Sequence, residues 1–107
     1  MKKDDLKRLE LRAEIIKSLA HPTRLMVVGE LQNGEKCVCE LAKIAGVDIS
    51  TISRHLSSLK NAGIISDEKR GTSVFYKLQC RCIPKFLECV ENVIKNNTKR
   101  NYQISKI

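Results

Sequence analysis

Two pairs of cysteines, each separated by a single residue, are the side chains in this sequence best suited to chemistry. Cys37 and Cys39 form one pair, Cys80 and Cys82 form the other, and Cys89 follows seven residues later. Thiolates prefer soft ions, and a trivalent arsenic or antimony ion needs three of them. All five cysteines are therefore candidate ligands for a thiophilic metal or metalloid.

Helix geometry limits how these thiols can share one ion. Residues two apart on an intact helix point about 200° apart, so Cys37 and Cys39 converge only if Cys37 lies before the helix or the helix start unwinds. Cys82 and Cys89 would lie two turns, about 10 Å, apart. Three arrangements remain open: one site that joins both pairs, separate sites, or a third ligand from Cys89 across a dimer.

Other roles for the cysteines fit the same residues. Free cysteines often serve as small buried hydrophobic residues. Thiols in a basic protein can ionise more readily and form a disulfide or persulfide, so redox sensing is the main rival to metal sensing. The odd number of cysteines argues against a structural disulfide framework. A thiol enzyme is disfavoured because no histidine, aspartate or asparagine motif accompanies any cysteine as base and orienter.

The chain that carries these cysteines has 107 residues and a net charge of +8. That charge favours a polyanion such as DNA, although a basic surface without a partner has the same composition. No apolar run is long enough to span a membrane, and the charged stretch from Lys2 to Glu14 is unlike a signal peptide. We therefore expect a cytoplasmic protein without a membrane partner, with one domain over residues 1–95 and a polar tail over residues 96–107.

Hydrophobic periodicity predicts the elements that position the cysteines. Pro22 opens a second helix after an amphipathic first one, Gly46 closes the third, and Ser50 is the expected N-cap of the fourth. The residues of the second and fourth helices predicted to face the interior are Leu25, Val28, Leu31, Ile52, Leu56 and Leu59.

A β-hairpin and a last helix complete the predicted fold. Ile64–Ser66 and Ser73–Leu78 have the composition of strands, the polar segment Asp67–Thr72 forms the tip between them, and Pro84 opens the final helix. Two helices joined by a glycine-bearing turn and followed by a basic hairpin are typical of a winged helix-turn-helix. The predicted fold is therefore mainly α with a small β-hairpin.

The fourth helix presents a polar face once its apolar side is placed against the core. Arginine suits guanine edges, whereas hydroxyl groups suit phosphates or base edges. The basic hairpin tip suits a wing that contacts the flanking DNA backbone; a solvated helix face and an exposed turn are the simpler alternatives. The predicted DNA-binding residues are Ser50, Thr51, Ser53, Arg54, Ser57, Lys69, Arg70 and Thr72.

Several strings in this sequence resemble the ArsR/SmtB family of repressors. Leu19–Leu25 is similar to the family's opening motif, Ile49–Leu56 followed by Leu59–Ile65 to its recognition helix and strand entry, and Arg70–Leu78 to its wing. The resemblance covers roughly residues 10–95. It implies a homodimeric winged-helix repressor that binds an inverted-repeat operator in double-stranded DNA and releases it when an inducer binds.

Within that family, Glu35–Leu41 resembles the third-helix thiolate motif of arsenic- and cadmium-responsive members. The resemblance implies Cys37 and Cys39 as inducer ligands, but Ala42 occupies the position where arsenite sensors of this pattern carry a third cysteine. No cysteine precedes Cys37, although cadmium and lead sensors recruit theirs from the N-terminal arm. The histidines that a zinc-type site on the last helix needs lie elsewhere in the sequence.

We therefore expect a repressor whose first and last helices form the dimer and which is released by a thiophilic inducer. Arsenite and antimonite are favoured over cadmium, lead and zinc, and no obligatory cofactor is expected. The alternative is a thiol-redox or persulfide-responsive repressor of the same fold.

Overall fold

A computed structural model describes residues 1–100 and contains five helices and a three-stranded antiparallel sheet within them. The predicted winged helix-turn-helix is confirmed, with one strand more than the sequence indicated. The last helix extends five residues into the predicted tail, whose remaining residues, 101–107, lie outside the described part of the chain. The elements are α1 (Lys3–Ser18), α2 (Pro22–Leu31), β1 (Lys36–Cys37), α3 (Val38–Ala45), α4 (Ile49–Asn61), β2 (Ile65–Arg70), β3 (Ser73–Leu78) and α5 (Ile83–Arg100).

Capping groups determine where α3 ends and α4 begins. Gly46 closes α3 in the left-handed conformation, at φ +71°, as predicted. The predicted N-cap Ser50 is wrong. Asp48 caps α4, because its carboxylate accepts the Thr51 N–H at 2.7 Å, and the Ser50 hydroxyl donates to the same carboxylate at 3.1 Å. The helix-turn-helix thus has a short, tightly bonded turn.

The hydrophobic core lies between α2, α3, α4 and the base of the sheet. The predicted interior residues of α4 are all buried, as are Val28 and Leu31 of α2. Leu25 was predicted to face inward but is 39% exposed, because α2 instead turns Val27 toward the core. The buried residues are Leu19, Val27, Val28, Leu31, Leu41, Ala42, Ile52, Leu56, Leu59, Ile64, Ile65 and Leu78.

The sheet has the strand order β1-β3-β2. The predicted hairpin tip is shorter than expected, because Asp67–Arg70 continue β2 and pair with β3 as far as Arg70 opposite Ser73. A two-residue turn, Gly71-Thr72, therefore connects the strands. The additional strand β1 pairs with the other edge of β3 and places Cys37 opposite Phe75. The first cysteine pair is thereby joined to the wing through backbone hydrogen bonds.

Helices α1 and α5 carry apolar side chains that the rest of residues 1–100 does not cover. No residue of α1 is buried. No helix within residues 1–100 is long and apolar enough to cross a membrane. The large apolar residues of the two helices that remain 41–57% exposed are Leu6, Leu9, Leu11, Ile15, Ile16, Phe86, Val90, Val93 and Ile94.

Candidate nucleic-acid interface and thiol sites

The outward face of α4 carries the side chains predicted to contact DNA. Arg54 and Ser57 are exposed, and Thr51 and Ser53 are half-buried at the margins of the face. Ser50 is exposed at the first turn, where its hydroxyl is bonded to Asp48. The opposite side of α4 packs into the core, so this polar face is the side available to a ligand.

A shallow open groove runs beside this face, between α2 and α4. Its polar lining supplies two guanidinium groups and several hydroxyls, which are donors suited to a phosphate backbone. Arg24 and Ser58 line the groove, although neither was among the DNA-binding residues predicted from the sequence. Arg24 could have been chosen, because it belongs to the family-like opening motif Leu19–Leu25. The lining residues are Arg24, Thr51, Ser53, Arg54, His55, Ser57 and Ser58.

Arg24 also ties α4 to the first two helices. Its Nε donates to His55 Nδ1 at 3.0 Å, and its Nη1 donates to the Ser18 carbonyl at 3.2 Å. The His55 ring lies 4.3 Å from the His21 ring, centroid to centroid, at 40°. Burial, and then the charges of His21, Arg24 and Arg54, lower the pKa of His55. The neutral imidazole that results can accept the Arg24 hydrogen bond, so His55 acts in helix packing.

The wing presents Lys69 and Thr72 to solvent, whereas Arg70 is held by neighbouring groups. Its guanidinium donates to both carboxylate oxygens of Glu35, at 2.5 and 3.0 Å, and to Glu68 at 3.3 Å. It also lies 4.8 Å from the Phe75 ring centroid. The hydrogen bonds from Arg70 lower the pKa of Glu35, and the two carboxylates raise the pKa of Arg70. A DNA phosphate would therefore have to compete with two carboxylates for Arg70.

Cys37 and Cys39 lie on either side of the start of α3. Cys37 is in β1 with extended backbone (φ −81°, ψ 161°), and Cys39 is exposed in the first turn of the helix. The condition for convergence, that Cys37 precede the helix, is thus met. The Cys37 N–H donates to Glu40 Oε1 at 3.1 Å, and this bond lowers the pKa of Glu40. Ala42 is buried in the core, so no third ligand comes from that position.

Cys80 and Cys82 form a second thiol pair, at the junction of β3 and α5. Their Sγ atoms are 3.4 Å apart; Cys80 is half-buried and Cys82 is exposed. The contact with Cys82 and burial raise the pKa of Cys80, and backbone N–H groups of Cys82 and Ile83 act in the opposite direction. Cys89 is exposed on α5 three residues after Phe86 and so shares that residue's apolar face.

The two pairs lie at different places along β3. Cys37 is opposite Phe75, and Cys80 comes two residues after the strand ends at Leu78. Within residues 1–100, no three histidine, cysteine or carboxylate side chains form a group able to hold a metal ion. A ligand contributed across a dimer stays a prediction.

Comparison with known proteins places the chain in a family of transcriptional regulators. The family model described as "bacterial regulatory protein, arsR family" matches residues 21–67. An uncharacterized HTH-type transcriptional regulator of Methanocaldococcus jannaschii is 36% identical over 89 residues, which cover 82% of this chain and 100% of that protein. The arsenic resistance transcriptional regulator ArsR1 of Pseudomonas putida is 34% identical over 90 residues, which cover 83% of this chain and 67% of that protein.

Other similarities concern a shorter stretch or the fold. The HTH-type transcriptional repressor SmtB of Mycobacterium tuberculosis is 36% identical over 70 residues, which are 65% of this chain and only 52% of that protein. The crystal structure of the transcriptional repressor BigR from Xylella fastidiosa superposes with a TM-score of 0.71 at 31% identity, covering 87% of this chain and 96% of that one.

Proposed function

Because the chain belongs to the ArsR family of bacterial regulatory proteins, we propose that it is a transcriptional repressor that leaves its operator when its thiols bind a thiophilic metalloid or metal. The observation that carries this proposal is the position of Cys37 and Cys39. They lie at the start of the helix-turn-helix, and β1 joins them to the wing. Ligand capture there acts on both parts of the DNA-reading unit.

DNA binding rests on the polar face of α4 and on the wing. In the proposed complex α4 enters the major groove, where Arg54 and the hydroxyl residues meet base edges and phosphates. Lys69 and Thr72 reach the flanking backbone from the wing. Two copies would read two half-sites about one helical turn, roughly 34 Å, apart on an inverted repeat.

The proposed homodimer rests on the uncovered apolar faces of α1 and α5. Monomeric proteins rarely expose large contiguous apolar patches, and a second copy is the simplest cover for this one. An open apolar cleft also lies between the two helices, and a partner's side chain would fill it. The cleft is lined by Arg12, Ile15, Ile16, Leu19, Ile83 and Phe86.

Inducer capture would reshape the start of α3. Cys37 is on extended backbone and Cys39 is on the helix, so one ion that binds both would link the end of β1 to the first turn of α3. A shift of α3 imposed by this link would strain the Cys37–Glu40 hydrogen bond and the pairing of β1 with β3. Two bound α4 helices would then no longer fit both half-sites. Arsenite and antimonite are the favoured inducers, and cadmium, lead and zinc are the alternatives.

A redox-responsive repressor of the same fold is the second candidate function. It is favoured by the Sγ–Sγ distance of 3.4 Å between Cys80 and Cys82, since a disulfide needs about 2.05 Å. An organic hydroperoxide would oxidise the two thiols to a disulfide and be reduced to an alcohol and water. The constraint would fall on the junction of the wing with α5.

Operator release distinguishes the two functions. Reduced protein bound to its own upstream DNA is titrated with arsenite, antimonite, cadmium, lead, zinc and, separately, a hydroperoxide, and fluorescence anisotropy follows the release. We expect release by at least one thiophilic ion at concentrations where magnesium has no effect. Release by the hydroperoxide alone would favour the redox function, and retention of DNA under every condition would refute both.

A further inference from the structure

Ile49 is a large apolar side chain at the start of α4 that belongs neither to the core nor to the thiol pairs. It is 49% exposed, whereas Ile52, three residues later, is fully buried. We propose that Ile49 reads the C5-methyl group of a thymine in the major groove, so that each operator half-site carries a thymine at the base that faces it. This inference rests on the proposed DNA-binding function and names one base that this function would recognise.

The first turn of α4 projects beyond the core. Ile49 is the first residue of the helix, and helical side chains tilt toward the N-terminus of their helix. Ser53 lies one turn further on the same side of α4, at the margin of the polar face. In a helix-turn-helix the N-terminal residues of the recognition helix contact base edges. Ile49 therefore lies at the end of α4 that meets the bases.

The chemistry of the isoleucine side chain selects the base. Every base pair presents hydrogen-bonding groups in the major groove, but thymine alone also presents a methyl group there. Isoleucine has no donor or acceptor, so against any other base edge it would remove polar groups from water without replacing their hydrogen bonds. Against thymine, the side chain and the methyl group remove each other's apolar surface from water. Ile49 therefore favours thymine over the other three bases.

The polar groups beside Ile49 disfavour a backbone phosphate at this position. The Ser50 hydroxyl and the Thr51 N–H both donate to Asp48 Oδ1, at 3.1 and 2.7 Å. These hydrogen bonds, from Thr51 first and then from Ser50, lower the pKa of Asp48, so its carboxylate is ionised at neutral pH. A phosphate next to that carboxylate would be repelled. A base edge is therefore the part of DNA that fits beside Ile49.

The proposed dimer leaves Ile49 open to DNA. Single exposed apolar residues are common on protein surfaces, so the position of Ile49, and not its exposure alone, carries the inference. The groove between α1 and α4 is lined on α4 by Ser58, Asn61 and Ala62, near the other end of the helix. Ser58 is nine residues, or about 14 Å of helix rise, from Ile49. A second copy that covers α1 and α5 therefore lies away from the first turn of α4.

The test is a double-mutant cycle between the full chain and the upstream DNA that it protects. Thymines are replaced at symmetry-related positions of the two half-sites by deoxyuridine, which lacks only the methyl group, and fluorescence anisotropy measures the affinity for each duplex. At one such pair we expect the affinity to fall about fourfold per half-site, or roughly 15-fold in all. Ile49→Ala should bind the unsubstituted DNA about as weakly as the original chain binds this substituted DNA. It should no longer respond to deoxyuridine at that pair.

The matched control is Leu25→Ala, which removes exposed apolar surface from α2, outside the polar face of α4, and should keep the response to deoxyuridine. Circular dichroism verifies that each variant is folded. Binding that no deoxyuridine pair weakens, or a response in Ile49→Ala equal to that of the original chain, would overturn this inference and leave the repressor function standing. A chain that does not bind the unsubstituted DNA would refute both.

Discussion

Single side chains decide whether the thiol pair and the wing can influence one another. Arg70 lies at the end of β2, yet its guanidinium is bound to Glu35, which stands two residues before Cys37. The ring beneath that guanidinium belongs to Phe75, the residue that pairs with Cys37 across β1 and β3. A movement of Cys37 can therefore displace the Arg70 guanidinium, which is the charge that the wing presents to DNA, through Glu35 or Phe75.

Replacing both Cys37 and Cys39 by serine should abolish inducer-driven release and leave operator affinity within about threefold of the original. The hydroxyl is similar in size to the thiol but is a poor ligand for soft ions, and the Cys37 N–H can still donate to Glu40. Anisotropy titrations with and without arsenite measure both properties, and circular dichroism verifies that the double variant is folded. An equal loss of DNA binding in the double variant would show that the pair is structural.

The Glu35–Arg70 pair should restrain DNA binding, so Glu35→Gln should strengthen it. Without that carboxylate, Arg70 is freer to contact a phosphate and release one more counterion. The slope of log affinity against log salt concentration should then steepen by about one. Glu91→Gln removes the same charge from α5 and serves as the control for the change in net charge. If the two variants have the same slope, the Glu35–Arg70 pair does not restrain DNA binding.

At the scale of elements, sequence predicted what depends on periodicity and missed what depends on distant contacts. The positions of α3, α4 and β3 follow from apolar spacing and a closing glycine. Strand β1 has only two residues, too few to show an alternation, and it forms because β3 offers a free edge. The Glu35–Arg70 pair joins residues that are remote in the chain, so no local pattern reveals it. The sequence likewise did not show which of Asp48 and Ser50 caps α4. That depends on which side chain reaches the free N–H groups of the first turn.

The contact between α2 and α4 should make stability depend on pH through His55. Its pKa is lowered in the folded state from an ordinary value of 6.5. Above pH 6.5 the imidazole is neutral in both the folded and the unfolded state. Below pH 6.5 the unfolded chain binds a proton at His55, whereas the folded chain binds it only at a lower pH. Stability should therefore fall as the pH drops through 6.5 toward the lower folded pKa. The positive groups facing His55 are Arg24 on α2, His21 before it, and Arg54 on α4 itself.

Urea denaturation at several pH values between 5.5 and 8 measures this dependence, and His55→Gln should flatten it. Glu35, Glu40 and Asp48 have lowered pKa values, so their contributions are lost as the pH falls from the ordinary values, 4.5 for the two glutamates and 3.8 for the aspartate, toward the lower folded pKa values, which is below the range of this experiment. A slope unchanged by His55→Gln would assign the pH dependence to other groups.

At the scale of the whole molecule, the apolar surface of α1 and α5 requires a partner that the single chain lacks. The core of α2, α3, α4 and the sheet is complete by itself, since the side chains it contains are buried without help from a second copy. From α5, Ile83 and Leu87 pack against that core while remaining half-buried. The fold of the DNA-reading unit and the assembly of the dimer should therefore be separable by mutation.

Val93→Glu should give a folded monomer. Val93 is 57% exposed, so a carboxylate there meets water in the single chain but would be buried without a partner in the proposed dimer. Sedimentation measures the mass, and circular dichroism verifies the fold. Ile44→Glu, a matched change at an apolar residue of α3 that is 46% exposed, should remain dimeric.

Operator affinity should fall when the dimer is lost. In a dimer, binding at one half-site holds the second α4 helix at a high effective concentration beside the other half-site, and a monomer lacks this advantage. The loss for Val93→Glu should be in the range of 10²- to 10⁴-fold on the full inverted repeat and much smaller on an isolated half-site. A Val93→Glu protein that stays dimeric would refute an interface at α5. A monomer that keeps full affinity for the inverted repeat would instead show that DNA binding does not need two symmetric copies. The proposed release of DNA, in which two α4 helices no longer fit both half-sites, would then be refuted as well.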